Sequence, residues 1–373
     1  MTSQENDGPP RVCLPFEGQN ERSAFFGVGS LPSDTDVAVL VRTVQRNCDI
    51  ADARHAREMT LCSYLLQMRE FCRWQLGLPV GQIPARAEVA AWIRAREALW
   101  EELADAPFVP VPLAGEELEP FAADAINSRL LDAGLCYGGG LGRFGKPHFF
   151  LAELQQRQRR GPLEVLICGR ELARDIAALP ALLQGERIVL RREALGQWLA
   201  ERIEAWSIRQ TGGAMARALG AFGHSDGAAA ALEAMIEHET ETLILHEIGE
   251  WQAGHCLGED WAAMVAAQSR RGETIARALR DDLADCLSTL PALIERRATA
   301  SLHLWFATLE GMRRHLLPEL TTAYEVEGDP YAIDGLLKAS AARLVAAAQS
   351  VLAHWRQGGG VAARAQLQAI ETH

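Results

Sequence analysis

The segment LILHEIGEWQAGH, residues 243–255, carries side chains that could bind a metal ion. Zinc proteases place two histidine ligands and a general base on one helix in the pattern H-E-x-x-H. Here His246 and Glu247 match the start of that pattern, but Glu250 stands where the second histidine would be. A zinc site built this way would use Glu250 as its second ligand, His255 as its third and Glu247 as the catalytic base. A zinc-dependent hydrolase is therefore one interpretation of the segment.

The periodicity of the same region favours a different arrangement. Positions three and four residues apart form one helical face, which contains Leu232, Ile236, Glu239, Leu243, His246, Glu250, Ala253 and Leu257. Such spacing is typical of a face that is buried in a helical bundle. Charged groups buried there cost several kcal/mol each unless they are paired or bound to a metal. Glu239, His246 and Glu250 are thus candidate metal ligands.

Two later segments contain acids and a histidine that could lie at the same height. His303 and Glu310 are spaced H-x6-E, whereas Glu239 and His246 are spaced E-x6-H. Glu273 lies on the helix between them in the chain. In an antiparallel bundle the first and third helices run parallel, so these residues could form a di-iron or di-manganese carboxylate site. Alternatively, His303 and Glu310 flank an apolar seam and face water or pair with arginines.

The E-x6-H spacing, followed by a His–Glu pair, resembles the ligand pattern of the helical di-metal oxidases of the heme-oxygenase-like fold. The resemblance covers these few ligands and implies an iron or manganese centre. The sequence departs from that family at Ala307, where an acid is expected on the third helix, and at Glu310, where a histidine is expected. If the metal is iron, we expect oxygen-dependent oxidation of a small molecule.

A second polar group lies in the string CDIADARHARE. Asp49, Asp52 and His55 follow one another at three-residue steps and would share one helical face. They could hold a metal or bind each other, and either aspartate could instead cap a helix. Further along, Arg69 and Glu70 could recognise a substrate carboxylate, although a surface ion pair is the interpretation that we favour.

The string GGGLGRFGKP contains G-x-G-x-x-G and also a G-x4-G-K pattern that ends at Lys146. Neither a dinucleotide-binding loop nor a P-loop is expected, because Pro147 stands where a helix or a magnesium-binding Ser/Thr would be needed. Residues 134–192 nevertheless hold ten Lys/Arg against five Asp/Glu, in a chain of net charge −12. Arg143 and Lys146 could therefore bind a small anion together with backbone N–H groups. The alternative is a glycine-rich hairpin on an ordinary surface.

The elements that must position these residues are mainly helical. The predicted fold is mainly α, with a helical N-terminal domain that contains a small β-sheet, followed by an antiparallel four-helix bundle. Two apolar runs rich in β-branched residues, PLEVLICG and ERIVLRR, predict the strands of the sheet, and a helix is expected between them. The predicted bundle helices are 228–257, 259–289, 297–320 and 330–357.

A glycine-rich stretch predicts where the chain divides. TGGAMARALGAFGHSDG has five glycines and is typical of a junction between domains. The predicted organisation is a flexible N-terminal arm at 1–33, a mixed α/β domain at 34–211, a linker at 212–227, the bundle at 228–360 and a tail at 361–373.

Composition narrows the classes of function. The chain has 373 residues, of which 48% are hydrophobic, so two domains with real cores are expected. The acidic net charge argues against nucleic-acid binding, and no apolar run of about 18 residues indicates a membrane span. The polar N-terminus and eight cysteines without C-x-x-C spacing predict a cytoplasmic protein with reduced thiols. The sequence does not indicate an oligomeric state.

Five strings, CDIADARHA, YLLQMREFCRW, GRFGKPHFFLAEL, GRELARD and LHEIGE, are together similar to an uncharacterised family of bacterial two-domain proteins. This resemblance spans most of the chain and implies the division into two domains. It brings no catalytic residues with it.

The leading hypothesis is a cytoplasmic metalloprotein that acts on a small-molecule substrate, with iron or manganese in the bundle. With zinc instead, we expect hydrolysis with Glu247 as the base. A hypothesis from another class is a regulatory or scaffold protein without a cofactor, in which buried His and Glu side chains form a hydrogen-bonded network. A third is an anion- or nucleotide-binding module that uses the loop at 138–146.

Overall fold

The structure is a computed structural model that describes residues 20–21, 36–209, 212–223 and 228–372. The chain forms two compact units that divide between Ile244 and Leu245. The predicted arm at 1–33 lies outside the described residues except at Asn20–Glu21, and the end of the predicted linker, 224–227, also lies outside them.

Two helices of the N-terminal unit begin at a residue whose side chain caps them. The Asp36 side chain accepts hydrogen bonds from the backbone N–H groups of Ala38 and Val39. The Thr60 hydroxyl accepts one from Ser63 in the same way. The helices of this unit are α1 (Val37–His55), α2 (Leu61–Gln75), α3 (Arg86–Leu103), α4 (Ala123–Leu130), α5 (Arg192–Arg209), α6 (Ala214–Ala221) and the first part of α7 (Ala228–Leu257).

The same unit contains all the strands that the structure describes. They are β1 (Asn20–Glu21), β2 (Val111–Leu113), β3 (Glu116–Leu118), β4 (Leu135–Leu141), β5 (Pro147–Arg160), β6 (Leu163–Arg174), β7 (Ala181–Gln184) and β8 (Arg187–Arg191). β2 and β3 form a separate hairpin, and the other six form one sheet in the order β1-β5-β6-β8-β7, with β4 also paired to β5. β6 and β8 run parallel, and the other pairs are antiparallel.

This sheet is larger than the two strands that the apolar runs predict. The helix expected between those runs is instead the end of β6 followed by β7, and the glycine-rich string lies in β4 and the turn after it. The glycines are required by space, because a Cβ atom at Gly138 would lie 1.9 Å from the Phe150 ring, and one at Gly142 would lie 2.4 Å from the His148 ring. The second half of β5 is almost entirely polar, so hydrophobicity does not indicate a strand there.

Apolar side chains pack on both faces of the sheet. One face packs on α1 and α4 through a core that includes Leu40, Val44, Ile126, Phe149 and Leu151. The core on the other face includes Cys136, Phe150, Leu166, Cys168 and Val189. The prediction of a mainly helical chain with a sheet in its N-terminal part is confirmed.

The C-terminal unit consists of the second part of α7 and the helices after it. These are α8 (Asp260–Ala266), α9 (Arg270–Ala284), α10 (Leu290–Glu295), α11 (Thr299–Thr308), α12 (Gly311–Leu316), α13 (Pro318–Glu327) and α14 (Leu337–Thr372). A π-helical segment, Asp285–Thr289, joins α9 to α10, and a 3-10 helical segment, Pro330–Leu336, precedes α14.

The predicted four-helix bundle is not confirmed. The first predicted helix, 228–257, coincides with α7, but the second and third are each broken into several helices. Gly311 has a left-handed backbone (φ 56°) and Pro318 begins α13, so neither residue continues the helix before it. α14 contains a non-helical Gly359 and then continues through most of the predicted tail to Thr372.

One helical stretch, Pro330–Thr372, is long and apolar enough to cross a membrane by length and composition. Core helices meet the same test, and 39% of its most apolar window is buried. That the chain has no membrane span therefore stays a prediction.

α7 and α9 cross in close contact at a glycine. A Cβ atom at Gly249 would lie 2.3 Å from the backbone carbonyl oxygen of Ala284. Real Cβ atoms do not approach a backbone oxygen so closely, so any larger residue would push the helices apart. The residues beside Gly249 on α7 consequently lie next to the C-terminal end of α9.

We predict that Gly249→Ala destabilises the protein by about 1–3 kcal/mol, because overpacking at this crossing outweighs the better helix propensity of alanine. The measurement is the free energy of unfolding from urea titration. Gly254→Ala is the matched control, since it lies five residues further along α7, is exposed and has no atom within 4 Å of its Cβ position. That control should gain up to about 1 kcal/mol. Equal effects of both substitutions would contradict the tight crossing.

Candidate metal centre

Two helices of the C-terminal unit bring a histidine and two acids together. His246 and Glu250 lie four residues apart on α7 and therefore on one face. Asp281 lies in the last turn of α9, across the crossing at Gly249. One possible ligand atom from each of these three residues lies within 4.8 Å of the other two. Among the described residues, this is the group of His, Cys, Asp and Glu side chains that could hold a metal ion.

Asp285 holds the His246 ring in a fixed orientation. His246 Nδ1 lies 2.8 Å from Asp285 Oδ1, and Asp285 Oδ2 accepts hydrogen bonds from Trp305 Nε1 (2.7 Å) and from Arg313. His246 Nε2, on the opposite edge of the ring, faces away from Asp285 and lies 3.7 Å from Glu250 Oε1. A metal-binding histidine in proteins commonly has this arrangement, with one ring nitrogen on a carboxylate and the other on the metal.

The backbone places Asp285 at the start of the π-helical segment. The N–H group of Leu290 donates to the carbonyl oxygen of Asp285, which is the i→i+5 hydrogen bond of a π turn. π turns inserted in α-helices occur frequently at functional sites. Asp281, Asp282 and Asp285 are all buried at this end of α9, and the Arg313 guanidinium lies between Asp282 and Asp285.

Burial and mutual contact strongly shift the pKa values of the site. Burial opposes protonation of His246, but Asp285 outweighs burial and raises the pKa of His246 to about 10. Burial alone would raise the pKa of Asp285, yet Arg313 and His246 hold it well below its usual value. Burial, with Glu250 nearby, raises the pKa of Glu247 to about 8. Without a metal, His246 is therefore an imidazolium and Glu247 keeps its proton at neutral pH.

The cluster has more negative than positive groups. The five carboxylates are Glu247, Glu250, Asp281, Asp282 and Asp285, and the three cations are His246, Arg280 and Arg313. With Glu247 protonated and His246 neutral, as a metal ligand has to be, four carboxylates and two arginines leave a formal charge of −2. A divalent cation would neutralise that charge.

Most of the other predicted ligands lie elsewhere. Glu239 is buried on the part of α7 that belongs to the N-terminal unit. Glu273 lies two turns before Asp281 on α9 and accepts a hydrogen bond from Arg277 at 2.7 Å. His303 Nδ1 lies 2.9 Å from the Tyr324 hydroxyl, and Glu310 is exposed at the N-cap of α12. Of the predicted ligands, the structure brings His246 and Glu250 together.

Sequence reasoning missed the partners of these two residues. Asp281, Asp285 and the arginines that neutralise them play no part in the sequence-based hypotheses. The available signal was the string RDDLADC, which places three acids within five residues of one predicted helix.

The second predicted cluster does not converge on one point. Asp49 accepts a hydrogen bond from Arg96 Nη1 at 2.5 Å. Asp52 Oδ2 accepts one from the backbone N–H of Ile176 at 2.9 Å. His55 Nδ1 lies 3.4 Å from the Glu58 carboxylate. Each of the three therefore has a partner of its own.

The predicted substrate-binding pair takes part in internal ion pairs. Arg69 donates two hydrogen bonds to Glu204, at 2.9 Å and 2.6 Å, and Glu70 accepts one from Arg73 at 2.8 Å. Arg69 also donates to Glu70 at 3.2 Å. The pair is thus largely buried and not the expected surface ion pair, and recognition of a substrate carboxylate stays a prediction.

The two predicted anion-binding residues point to different surroundings. Arg143 is exposed in the turn between β4 and β5, whereas Lys146 turns inward and its Nζ lies 3.5 Å from Asp52 Oδ1. Beside it, His148 Nδ1 lies 2.7 Å from the buried Asp175 Oδ2, a pair that the sequence did not indicate. The lysine thus lies against a buried acid and not at the exposed turn.

The fold and the site define a mainly helical protein of two compact units, with a sheet in the first and a His–carboxylate–arginine cluster in the second. The chain belongs to the family of unknown function DUF6866, since it matches the N-terminal domain of that family over residues 39–191 and the C-terminal domain over residues 196–373. The expected membership of an uncharacterised two-domain family is confirmed. No curated protein and no solved structure matches the chain.

The buried Asp52 generates a prediction about pH. Burial raises the pKa of Asp52 to about 8 although Lys146 opposes the shift, whereas an unfolded aspartate has a pKa of about 4. The native state therefore binds the extra proton between these values, and its stability falls as pH rises from about 4 to about 8. Asp52→Asn should remove that loss, so the variant gains stability relative to wild type by up to about 1.4 kcal/mol per pH unit across this window.

Urea unfolding between pH 5 and pH 8 measures the difference. Asp105→Asn removes an exposed carboxylate in the same unit and serves as the control, which should stay parallel to wild type. A difference between Asp52→Asn and wild type that does not change with pH would show that Asp52 is ionised in the native protein.

Proposed function

We propose that the C-terminal unit binds one divalent transition-metal ion through His246, Glu250 and Asp281, and that the protein is a metal-dependent enzyme acting on a small molecule. The observation that carries the proposal is the orientation of His246. Asp285 holds Nδ1 and Nε2 faces Glu250, with a ligand atom of Asp281 in the same group within 4.8 Å. A carboxylate on one ring nitrogen and a free second nitrogen is the arrangement of a carboxylate–histidine–metal site.

The donor set suits manganese, iron or zinc. One imidazole nitrogen and two carboxylate groups form a mixed site, whereas magnesium and calcium prefer oxygen ligands alone. Three protein ligands leave coordination positions for water and substrate, as in catalytic rather than structural metal sites. The described residues offer one such group, so our proposal has one metal ion rather than the pair expected from the sequence.

Glu247 is the residue that we assign to proton transfer. It is buried next to His246, and the charges of Glu250 and His246 both act on its carboxyl group. A carboxyl group with a pKa near neutral can accept and return a proton during turnover. A zinc ion held there would supply an activated water for hydrolysis, and an iron ion would supply oxygen-dependent oxidation, with Glu247 as the group that takes up the proton.

A second candidate function is a regulatory or scaffold role in which the same cluster is structural. Arg280 pairs with Glu250 at 2.6 Å, and Arg313 pairs with Asp282 at 2.9 Å, so both arginines already compensate part of the buried charge. A network of this kind can fix how helices pack without any ligand. The two functions differ in whether the purified protein binds a metal.

Metal analysis of protein purified without chelator tests the proposal. We expect about one manganese, iron or zinc ion per chain, or binding of one added ion by titration calorimetry. His246→Ala should abolish this binding, and Asp285→Asn should weaken it by about 10–100-fold because the ring loses its orientation. His315→Ala removes an exposed histidine of the same unit and should bind like wild type.

Two results would contradict the metal site. One is wild-type protein that binds none of the three ions at micromolar concentration. The other is a His246→Ala variant that binds as tightly as wild type. Either would favour the structural network.

A further inference from the structure

Arg280 occupies the position from which a cation would contact the proposed ligands. Its Nη2 atom donates to Glu250 Oε1 at 2.6 Å and lies 3.5 Å from Asp281 Oδ1. These are the two carboxylates that, with His246, form the metal-binding group. The guanidinium is therefore, with the protonated His246, one of the two cations that lie against these carboxylates.

A metal ion and this guanidinium compete for the same lone pairs. Glu250 Oε1 lies 3.7 Å from His246 Nε2, and it is also the atom to which Arg280 donates a hydrogen bond. Arginine does not lose its proton in proteins, so it cannot become neutral when a metal arrives. It has to move away from Glu250 as a charged group.

The displaced side chain would remain beside the metal. Arg280 directly precedes the ligand Asp281 on α9, and 27% of its side chain is exposed, so it has space to turn toward solvent. Its Nε atom is buried and has no hydrogen-bond partner in the protein. A guanidinium with free donors next to a metal ion is suited to an oxyanion, because its planar fork matches carboxylate and phosphate groups.

We infer that Arg280 is the substrate-recognition residue of the proposed metal site: it holds Glu250 when no metal is bound and, once displaced, binds the oxyanion group of the substrate. The inference rests on the proposed function. It assigns the substrate to the class of small molecules that carry a carboxylate or phosphate group.

Calorimetric titration with Mn²⁺ tests the competition. Arg280→Gln removes the competing charge and keeps a polar side chain, and we expect it to bind Mn²⁺ about tenfold more tightly than wild type. Arg277→Gln is the matched control, because Arg277 lies one turn earlier on α9 and pairs with Glu273 instead. That control should bind Mn²⁺ within about twofold of wild type.

Titration of the Mn²⁺-loaded proteins with succinate and, separately, with inorganic phosphate tests recognition and distinguishes the two oxyanions. We expect wild type to bind one of them and Arg280→Gln to bind it at least about tenfold more weakly. Arg280→Lys keeps the charge without the fork, so it should retain the Mn²⁺ affinity of wild type but lose oxyanion affinity. It also keeps the charge balance of the cluster if the glutamine variant fails to fold.

The inference and the proposed function fail in different ways. Mn²⁺ binding by wild type that Arg280→Gln leaves equal or weakens would overturn the inference and leave the metal site intact. Oxyanion affinity that is the same in wild type, Arg280→Gln and Arg280→Lys would also overturn it. If neither wild type nor Arg280→Gln binds any of the metals, the proposed function fails and the inference fails with it.

Discussion

The crossing of α7 and α9 at Gly249 sets the geometry on which the C-terminal cluster depends. Because Gly249 lies against the Ala284 carbonyl, the turn of α7 that carries His246 and Glu250 faces the end of α9. The π turn that follows begins at Asp285, whose carboxylate lies within hydrogen-bond distance of His246. One glycine and one π turn thus bring the polar side chains of two separate segments, 246–250 and 281–285, into a single cluster.

Compensation of buried charge organises the N-terminal unit in the same way. Arg191 and Arg174 are almost fully buried, and both lie beside Glu171, at 2.6 Å and 3.4 Å. Phe150 lies under the guanidinium of Arg191, and Trp74 lies under that of Arg174. Unpaired charges at such depth would cost several kcal/mol each, so these pairs restrict how the sheet and helices can be arranged.

Sequence periodicity predicts local features of this protein well. The bounds of α7 follow from its three-four pattern, and the same pattern selects His246 and Glu250, which the structure brings together. It does not predict their partners, because predicting which residues of two helices lie side by side requires both helices to be continuous. The breaks at Gly311 and Pro318 shorten the third predicted helix, and His303 contacts Tyr324 instead.

Contacts that depend on the register of the sheet are even harder to predict from the sequence. Asp52 meets Lys146 across 94 positions of sequence, and His148 meets Asp175 across the β5–β6 hairpin. No regular alternation of apolar and polar residues indicates either pair, because β5 is apolar in its first half and polar in its second. The surplus of positive charge around Lys146 suggested an anion ligand at the surface, whereas its Nζ atom lies against the buried Asp52.

The adjacency of Arg280 and Asp281 on α9 has a consequence for selectivity. One helix supplies both a proposed ligand and an arginine that pairs with the ligands when no metal is bound. A metal ion enters only if its bonds to the imidazole and the carboxylates outweigh both the loss of the guanidinium contacts and the release of the His246 proton to solvent. Ions that bind weakly to nitrogen, such as Mg²⁺ and Ca²⁺, obtain little from His246. The arginine therefore raises the threshold for entry and favours ions for which the imidazole nitrogen is a strong ligand.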